Sequence, residues 1–135
     1  PARAFSGCSA LASVSLPDSL TEIGTAAFSG CSALTGIRIP AAITEIINHT
    51  FSGCTSLATL EIPDSVTKIG DYAFFGCTSL TSIAIPDSVT AIGNGAFSNC
   101  TALTLTVTPD SYAAEYAKAN NIPYTYPDAN DWLYN

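Results

Sequence analysis

Residues 73–95 read A-F-F-G-C-T-S-L-T-S-I-A-I-P-D-S-V-T-A-I-G-N-G, and their pattern decides the fold. Ile83 and Ile85 alternate with Ser82 and Ala84, the period-two signature of a short strand with one buried face. Pro86 ends that strand, because it has no N–H to give to the next ladder bond. Asp87 follows in a turn, where a carboxylate can accept from local backbone donors. A second apolar pair, Val89 and Ile92, comes next.

The same unit recurs on both sides of this stretch. Phe5, Phe28, Phe51, Phe74 and Phe97 stand 23 residues apart, as do Cys8, Cys31, Cys54, Cys77 and Cys100. Leu11, Leu34, Leu57, Leu80 and Leu103 keep that period, and so do Pro17, Pro40, Pro63, Pro86 and Pro109. Four residue types holding one period over five copies define a repeat protein. The inward strand pairs are Val14 and Leu16, Ile37 and Ile39, Leu60 and Ile62, and Ile83 and Ile85. A lone repeat cannot cover its own apolar faces, so the copies must stack, with parallel strands about 4.8 Å apart.

Between the strands, one column holds Thr25, Asn48, Asp71 and Asn94, all residues that cap helix N-termini. A single helical turn is expected after it, as in Ala26-Ala27-Phe28-Ser29. Gly30, Gly53 and Gly76 end that turn, with Asn99 in the fifth copy, which predicts left-handed backbone there. The second copy departs from the pattern: Ala41-Ala42-Ile43 replaces Asp-Ser-Val, and Ile47 replaces Gly. A β-branched residue is strained at positive φ, so either that site is not left-handed or the loop is rebuilt.

In the fifth copy the alternating pair, Leu105 and Val107, falls one residue early. Ser111 to Asn120 reads as a true helix, with Thr108 or Asp110 as its cap and Asn120-Asn121 as its end. Tyr112 and Tyr116, four apart, would lie on one face and close the last repeat. Ile122 onward reads as a strand and a loose tail. The register at Pro1, inside a repeat, predicts that the native chain continues upstream.

The I-x-I-P strand exit followed by A-F-x-G-C resembles the leucine-rich repeat of the BspA-like, treponemal type, over about residues 2–110. The stretch from Pro109 to Tyr124 is similar to the closing segment of that family. The resemblance implies a secreted or surface-attached bacterial protein that adheres to host proteins or other cells. The expected fold is an α/β repeat solenoid: a right-handed leucine-rich-repeat coil, with short parallel strands on the concave face and a helical C-terminal cap. Residues 1–108 form the repeats, the N-terminal copy incomplete, and residues 109–135 the capping helix and tail.

Composition narrows the function. Eleven acids face only Arg3, Arg38, Lys68 and Lys118, giving a net charge of −7. Without clustered cations the chain is not expected to bind nucleic acid or an anionic membrane surface, and no apolar run approaches the ~20 residues of a span. The five cysteines lack the close pairs of a zinc site; a buried thiol column is expected, although disulfides between adjacent copies are conceivable. His49 has no partners for catalysis and reads as a surface-loop residue. The Asp18, Asp64 and Asp87 column is explained by turns rather than by calcium. No catalytic set, cofactor or metal site can be assembled, so no enzyme is expected.

Binding is expected on the concave row: Ser13, Ser15, Gly36, Arg38, Thr59, Glu61, Ser82 and Ala84. That row is bland, and an Arg38–Glu61 cross-strand ion pair is more natural than a ligand contact. Tyr112, Tyr116, Tyr124, Tyr126, Trp132 and Tyr134 cluster at the end; they either pack the cap or offer an aromatic patch, with Tyr124, Tyr126 and Trp132 as its candidates. The expected function is a monomeric adhesion module for a protein or glycan partner. The alternative is a structural spacer in a larger surface protein.

Overall fold

A computed structural model describes residues 3–126. The chain winds as a solenoid of parallel strands: β1 (Gly36–Arg38), β2 (Glu45–Ile46), β3 (Thr59–Glu61), β4 (Lys68–Ile69), β5 (Ser82–Ala84), β6 (Ala91–Ile92), β7 (Thr104–Thr106), helix α1 (Tyr112–Ala119) and β8 (Tyr124–Thr125). The I-x-I segments form the concave side, where β1 pairs with β3, and β5 with β7 and then β8. Ile37 stands against Leu60, and Ile83 against Leu105. The second register differs from the first by one residue, which is the shift visible in the fifth copy. The first copy forms no strand at Val14–Leu16. It holds the next coil through the N–H groups of Arg3, Phe5 and Gly7, which bond the carbonyls of Thr25, Ala27 and Ser29. Beside Val14–Leu16 the bond is from the Thr35 N–H to the Ala12 carbonyl (3.3 Å), and Val14 and Leu16 are only half-buried. Among the described residues nothing packs on its outer side.

A second parallel ladder, β2–β4–β6, was not expected from sequence. It arises from the second apolar pair: Ile46, Ile69 and Ile92 are buried in register, while Glu45 and Lys68 face solvent. Between the two ladders, Pro40, Pro63 and Pro86 carbonyls accept from the N–H groups of Ile43, Val66 and Val89, each at 3.0 Å. Backbone bonds therefore close these turns. The Asp64 and Asp87 side chains stay exposed and make no hydrogen bond among the described residues.

The expected helical turn is absent. Instead backbone donors alternate: Ala27, Ser29 and Cys31 bond three residues back, while Ala26, Phe28 and Gly30 bond the carbonyls of Asn48, Thr50 and Ser52 in the next coil. This satisfies every second N–H across coils, which an α-helix would turn inward. The geometry needs two positive-φ sites. One is the predicted column, Gly30, Gly53 and Gly76 at 75–76° with Asn99 at 62°. The other was not foreseen: Ala26, His49, Tyr72 and Gly95 at 55–64°.

The presumed N-cap column does different work. Asn48 Oδ1 accepts from the Asp71 N–H, and Asp71 Oδ1 accepts from the Asn94 N–H, both at 2.9 Å. These side chains bridge successive coils, since there is no helix to cap. They also explain the neighbouring glycines. A Cβ on Gly70 would sit 2.7 Å from the Asn48 nitrogen, and one on Gly93 2.6 Å from the Asp71 nitrogen. Ile47 occupies the same column at negative φ, which resolves that departure: its site is not left-handed. The preceding coil there has Thr25, whose side chain makes no such bridge.

The core is a set of columns. Phe5, Phe28, Phe51, Phe74 and Phe97 stack face to face with centroids 5.3–5.7 Å apart. Offset stacks of this kind favour a fixed repeat spacing. At the C-terminal end, α1 buries Ala113, Ala114 and Ala117. Ser111 caps it, its hydroxyl accepting from the Ala114 N–H at 3.1 Å. Thr108 and Asp110 precede the cap, and Asp110 is drawn to positive φ (63°) on the approach. Tyr116 closes the phenylalanine column edge-on to Phe97 (6.4 Å), and the Tyr112 hydroxyl accepts from the Ile92 N–H (3.2 Å) at the end of the second ladder. Each tyrosine therefore terminates one column.

Candidate functional site

The strands leave a shallow depression of about 730 Å³ along the concave face, floored by Ile37, Leu60 and Ile83. Alternation puts Arg38, Thr59, Glu61, Ser82 and Ala84 on its solvent side. Thr106 belongs to the row as well, and sequence reasoning missed it. The signal was available: the one-residue shift of the fifth copy carries Thr104 and Thr106 outward. Ser13 and Ser15 are exposed but lie outside any strand, so they do not share the rigid frame of β1, β3, β5 and β7.

The Arg38–Glu61 pair does not form. Arg38 and Glu61 are opposite one another in the register, yet the Arg38 Nη1 donates to Asp18 Oδ1 at 2.6 Å. Asp18 sits in the turn of the first coil, ahead of Arg38, and the long guanidinium side chain reaches it across the exposed edge. This hydrogen bond and its attraction hold the guanidinium above its usual range. Glu61 is left as an exposed carboxylate on the row.

The aromatic candidates divide. Tyr124 and Tyr126 are 37% and 42% exposed, with ring centroids 5.8 Å apart. Tyr124 stands in register with buried Leu105, so its ring points to where a further coil's interior would lie. Trp132 and Tyr134 lie outside the described residues. Tyr112 and Tyr116 pack the cap, and burial pushes the Tyr116 phenol above its ordinary range.

The cysteines are free thiols. Cys31, Cys54 and Cys77 are buried, Cys100 is partly covered and Cys8 is exposed. The buried thiols do more than fill space. Cys31, Cys54, Cys77 and Cys100 donate to the carbonyls of Phe5, Phe28, Phe51 and Phe74 at 3.0–3.3 Å. Each of these carbonyls already accepts a backbone N–H from the cysteine three residues on, so the thiol adds a second, weak donor from the next coil. Burial raises the Cys31 thiol and pushes Cys54 up to about 12; the neighbouring Cys100 thiol, then burial, pushes Cys77 up. Among the described residues no three His, Cys, Asp or Glu side chains gather as a metal would need, and no helix is long and apolar enough to cross a membrane.

A family model, BspA type Leucine rich repeat region (6 copies), matches residues 1–117. None of the curated proteins matches the chain. Among solved structures it is similar to a leucine-rich repeat protein from Bacteroides ovatus ATCC 8483, with 39% identity and a TM-score of 0.77 over 82% of this chain and 28% of that one. The leucine-rich repeat protein of T. pallidum is 42% identical with a TM-score of 0.76, covering 78% of this chain and 50% of that one. A leucine rich cell surface protein from Faecalibacterium prausnitzii A2-165 is 42% identical with a TM-score of 0.75, over 98% of this chain and 30% of that one. The chain thus spans half or less of each of these proteins. Repeat, register and family model agree, and the chain belongs to the BspA-type leucine-rich-repeat family.

Proposed function

We propose that the chain is a non-enzymatic binding module of a secreted or surface-attached bacterial protein, and that it engages a protein or glycan partner through its concave sheet. The observation that carries this reading is the open row on paired strands. Arg38, Thr59, Glu61, Ser82 and Thr106 stand at fixed spacing along the ladder. The short side chains Thr59, Ser82 and Thr106 on a rigid ladder leave a partner access to the strand surface, and they lose little entropy on binding. One charge of each sign, Arg38 and Glu61, supplies orientation rather than bulk affinity. Likeness to a leucine rich cell surface protein over nearly the whole chain supports the location.

A spacer is the second reading, favoured by the same row's lack of tryptophan and tyrosine anchors. Binding of the purified chain to arrays of host matrix proteins and glycans at physiological salt separates the two. A saturable partner whose affinity falls with Arg38→Ala supports binding on the concave face. Silence on both arrays from folded protein favours the spacer.

A further inference from the structure

Asn94 and Gly95 stand side by side at the end of the column that bridges successive coils. An asparagine side-chain amide is open to attack by the backbone nitrogen of the residue that follows it. Glycine at that next position gives least obstruction, because it has no Cβ and turns freely. The reaction needs both groups to be unengaged.

In the earlier coils both are engaged. Asn48 Oδ1 accepts from the Asp71 N–H, and Asp71 Oδ1 accepts from the Asn94 N–H, each at 2.9 Å. The nitrogens that follow in this column are held as well. The N–H groups of Ala26, His49 and Tyr72 bond the carbonyls of Asn48, Asp71 and Asn94, each at 3.0 Å. An amide nitrogen tied to the next coil is a poor nucleophile, and a side chain tied there cannot swing back to meet it.

The last coil lacks both restraints. Asn94 is exposed, and among the described residues its side chain makes no hydrogen bond, nor does the Gly95 N–H find an acceptor. Helix α1 stands where the next coil would be. It reaches this corner through the Tyr116 hydroxyl, which donates to the Gly93 carbonyl (3.4 Å) and not to residue 94 or 95. Gly95 also borders an open cavity of about 450 Å³ between the last coil and the cap, which gives water access. Glycine is itself required there by stacking: a Cβ at 95 would fall on the ring of Tyr72, one coil earlier in the same column.

We infer that Asn94 is a site of spontaneous deamidation in the folded chain, with water as the co-reactant. The Gly95 nitrogen bonds to Asn94 Cγ, the Cγ–Nδ2 bond breaks, and the proton from the Gly95 nitrogen leaves with the side-chain nitrogen as ammonia. Water then opens the cyclic imide at one carbonyl or the other, leaving aspartate or isoaspartate at 94. Loss of the Gly95 proton makes the first step faster as pH rises. Aspartate adds one negative charge to a net charge of −7 and repeats what Asp71 already does one coil before. Isoaspartate instead lengthens the main chain by a carbon, which displaces the carbonyl that holds the Tyr72 N–H. The site lies away from the concave row and does not depend on it.

The test incubates the full chain at physiological temperature, at mildly acidic and mildly alkaline pH, beside a free peptide of residues 91–98. Amide loss is followed by peptide mass mapping and by enzymatic methyl labelling of isoaspartate. Asn94 in the folded chain should react about tenfold or more faster than Asn48, Asn99, Asn120 and Asn121, in which the next residue carries a side chain. Its rate should rise with pH and stay close to that of the peptide. Asn94→Thr, which installs the residue of the Thr25 coil, should remove the labelling at 94. The isoaspartate fraction, separated by anion exchange, should unfold at lower urea than Asn94→Asp. Amide loss at Asn94 no faster than at Asn48 overturns the inference. So does an Asn94 that stays intact in the folded chain after the free peptide has reacted.

Discussion

The first and fourth coils carry the same signature and have different fates. Phe74, Cys77 and Leu80 are fully buried, whereas Phe5 is 38% exposed, Cys8 is exposed and Leu11 is half-buried. Ile83 and Ile85 are buried along β5, while Val14 and Leu16 form no strand. A repeat signature therefore encodes faces to be shared, and the neighbour decides whether they are buried. The opposite end makes the point again. There α1 and β8 take the neighbour's place, and Leu105 and Val107 are as buried as any central pair.

The largest predicted difference follows from that contrast. Phe74→Ala removes a ring held between Phe51 and Phe97 and should cost about 3–5 kcal/mol. Phe5→Ala removes a ring stacked on one side only and should cost about 1 kcal/mol or less. Urea denaturation of both variants measures this. Equal losses would mean that the first coil is packed as tightly as the fourth. The next effect sharpens the contrast between halves. Gly93→Ala pushes a methyl to within 2.6 Å of the Asp71 nitrogen and 2.8 Å of the Gly70 carbonyl carbon, where backbone must move, at about 1–3 kcal/mol. Ile47 stands in that column one coil on from Thr25, whose side chain makes no such bridge. If Gly93→Ala leaves the midpoint unchanged, the bridge does not set the spacing.

These pairs also mark how far sequence carried. The concave strands, the left-handed glycine column, the shift at Leu105 and the tyrosine cap were all legible, because each follows from local chemistry or from period. The convex side was not. Asn48, Asp71 and Asn94 were read as helix caps, since Asn and Asp accept from backbone N–H groups in either setting, and only stacking shows that the N–H belongs to the next coil. The β2–β4–β6 ladder escaped for the same reason, as two-residue strands carry no periodicity of their own. Arg38 found Asp18 rather than Glu61 because alternation fixes a face, not where a long side chain reaches.

The thiol column predicts a pH effect of intermediate size. An unfolded cysteine loses its proton near its ordinary value of 9.0, whereas folded Cys54 keeps it up to about 12. Between those values the unfolded state binds fewer protons, so stability falls as pH rises, and below pH ~8 nothing changes. The slope should be on the order of 1 kcal/mol per pH unit for each such thiol. Denaturation at a series of pH values should show a shallower decline in Cys54→Ala than in the parent chain. An unchanged slope would mean that Cys54 ionises in the fold. Alkylation at pH 8 should label exposed Cys8 first and Cys54 and Cys77 last.

The smallest effect is expected at a short but exposed contact. Arg38 to Asp18 is a 2.6 Å ion pair between the first coil and β1, but its side chains are 73% and 81% exposed. Water and salt screen such a pair, and ordering two mobile side chains cancels much of what remains. Arg38→Ala should therefore leave the denaturation midpoint where it was, at low and at physiological salt alike. A drop as large as that of Gly93→Ala, and one that salt abolishes, would show that charge rather than packing holds the first coil. The difference between the coils would then rest on that one contact, and Asp18→Asn should reproduce the loss.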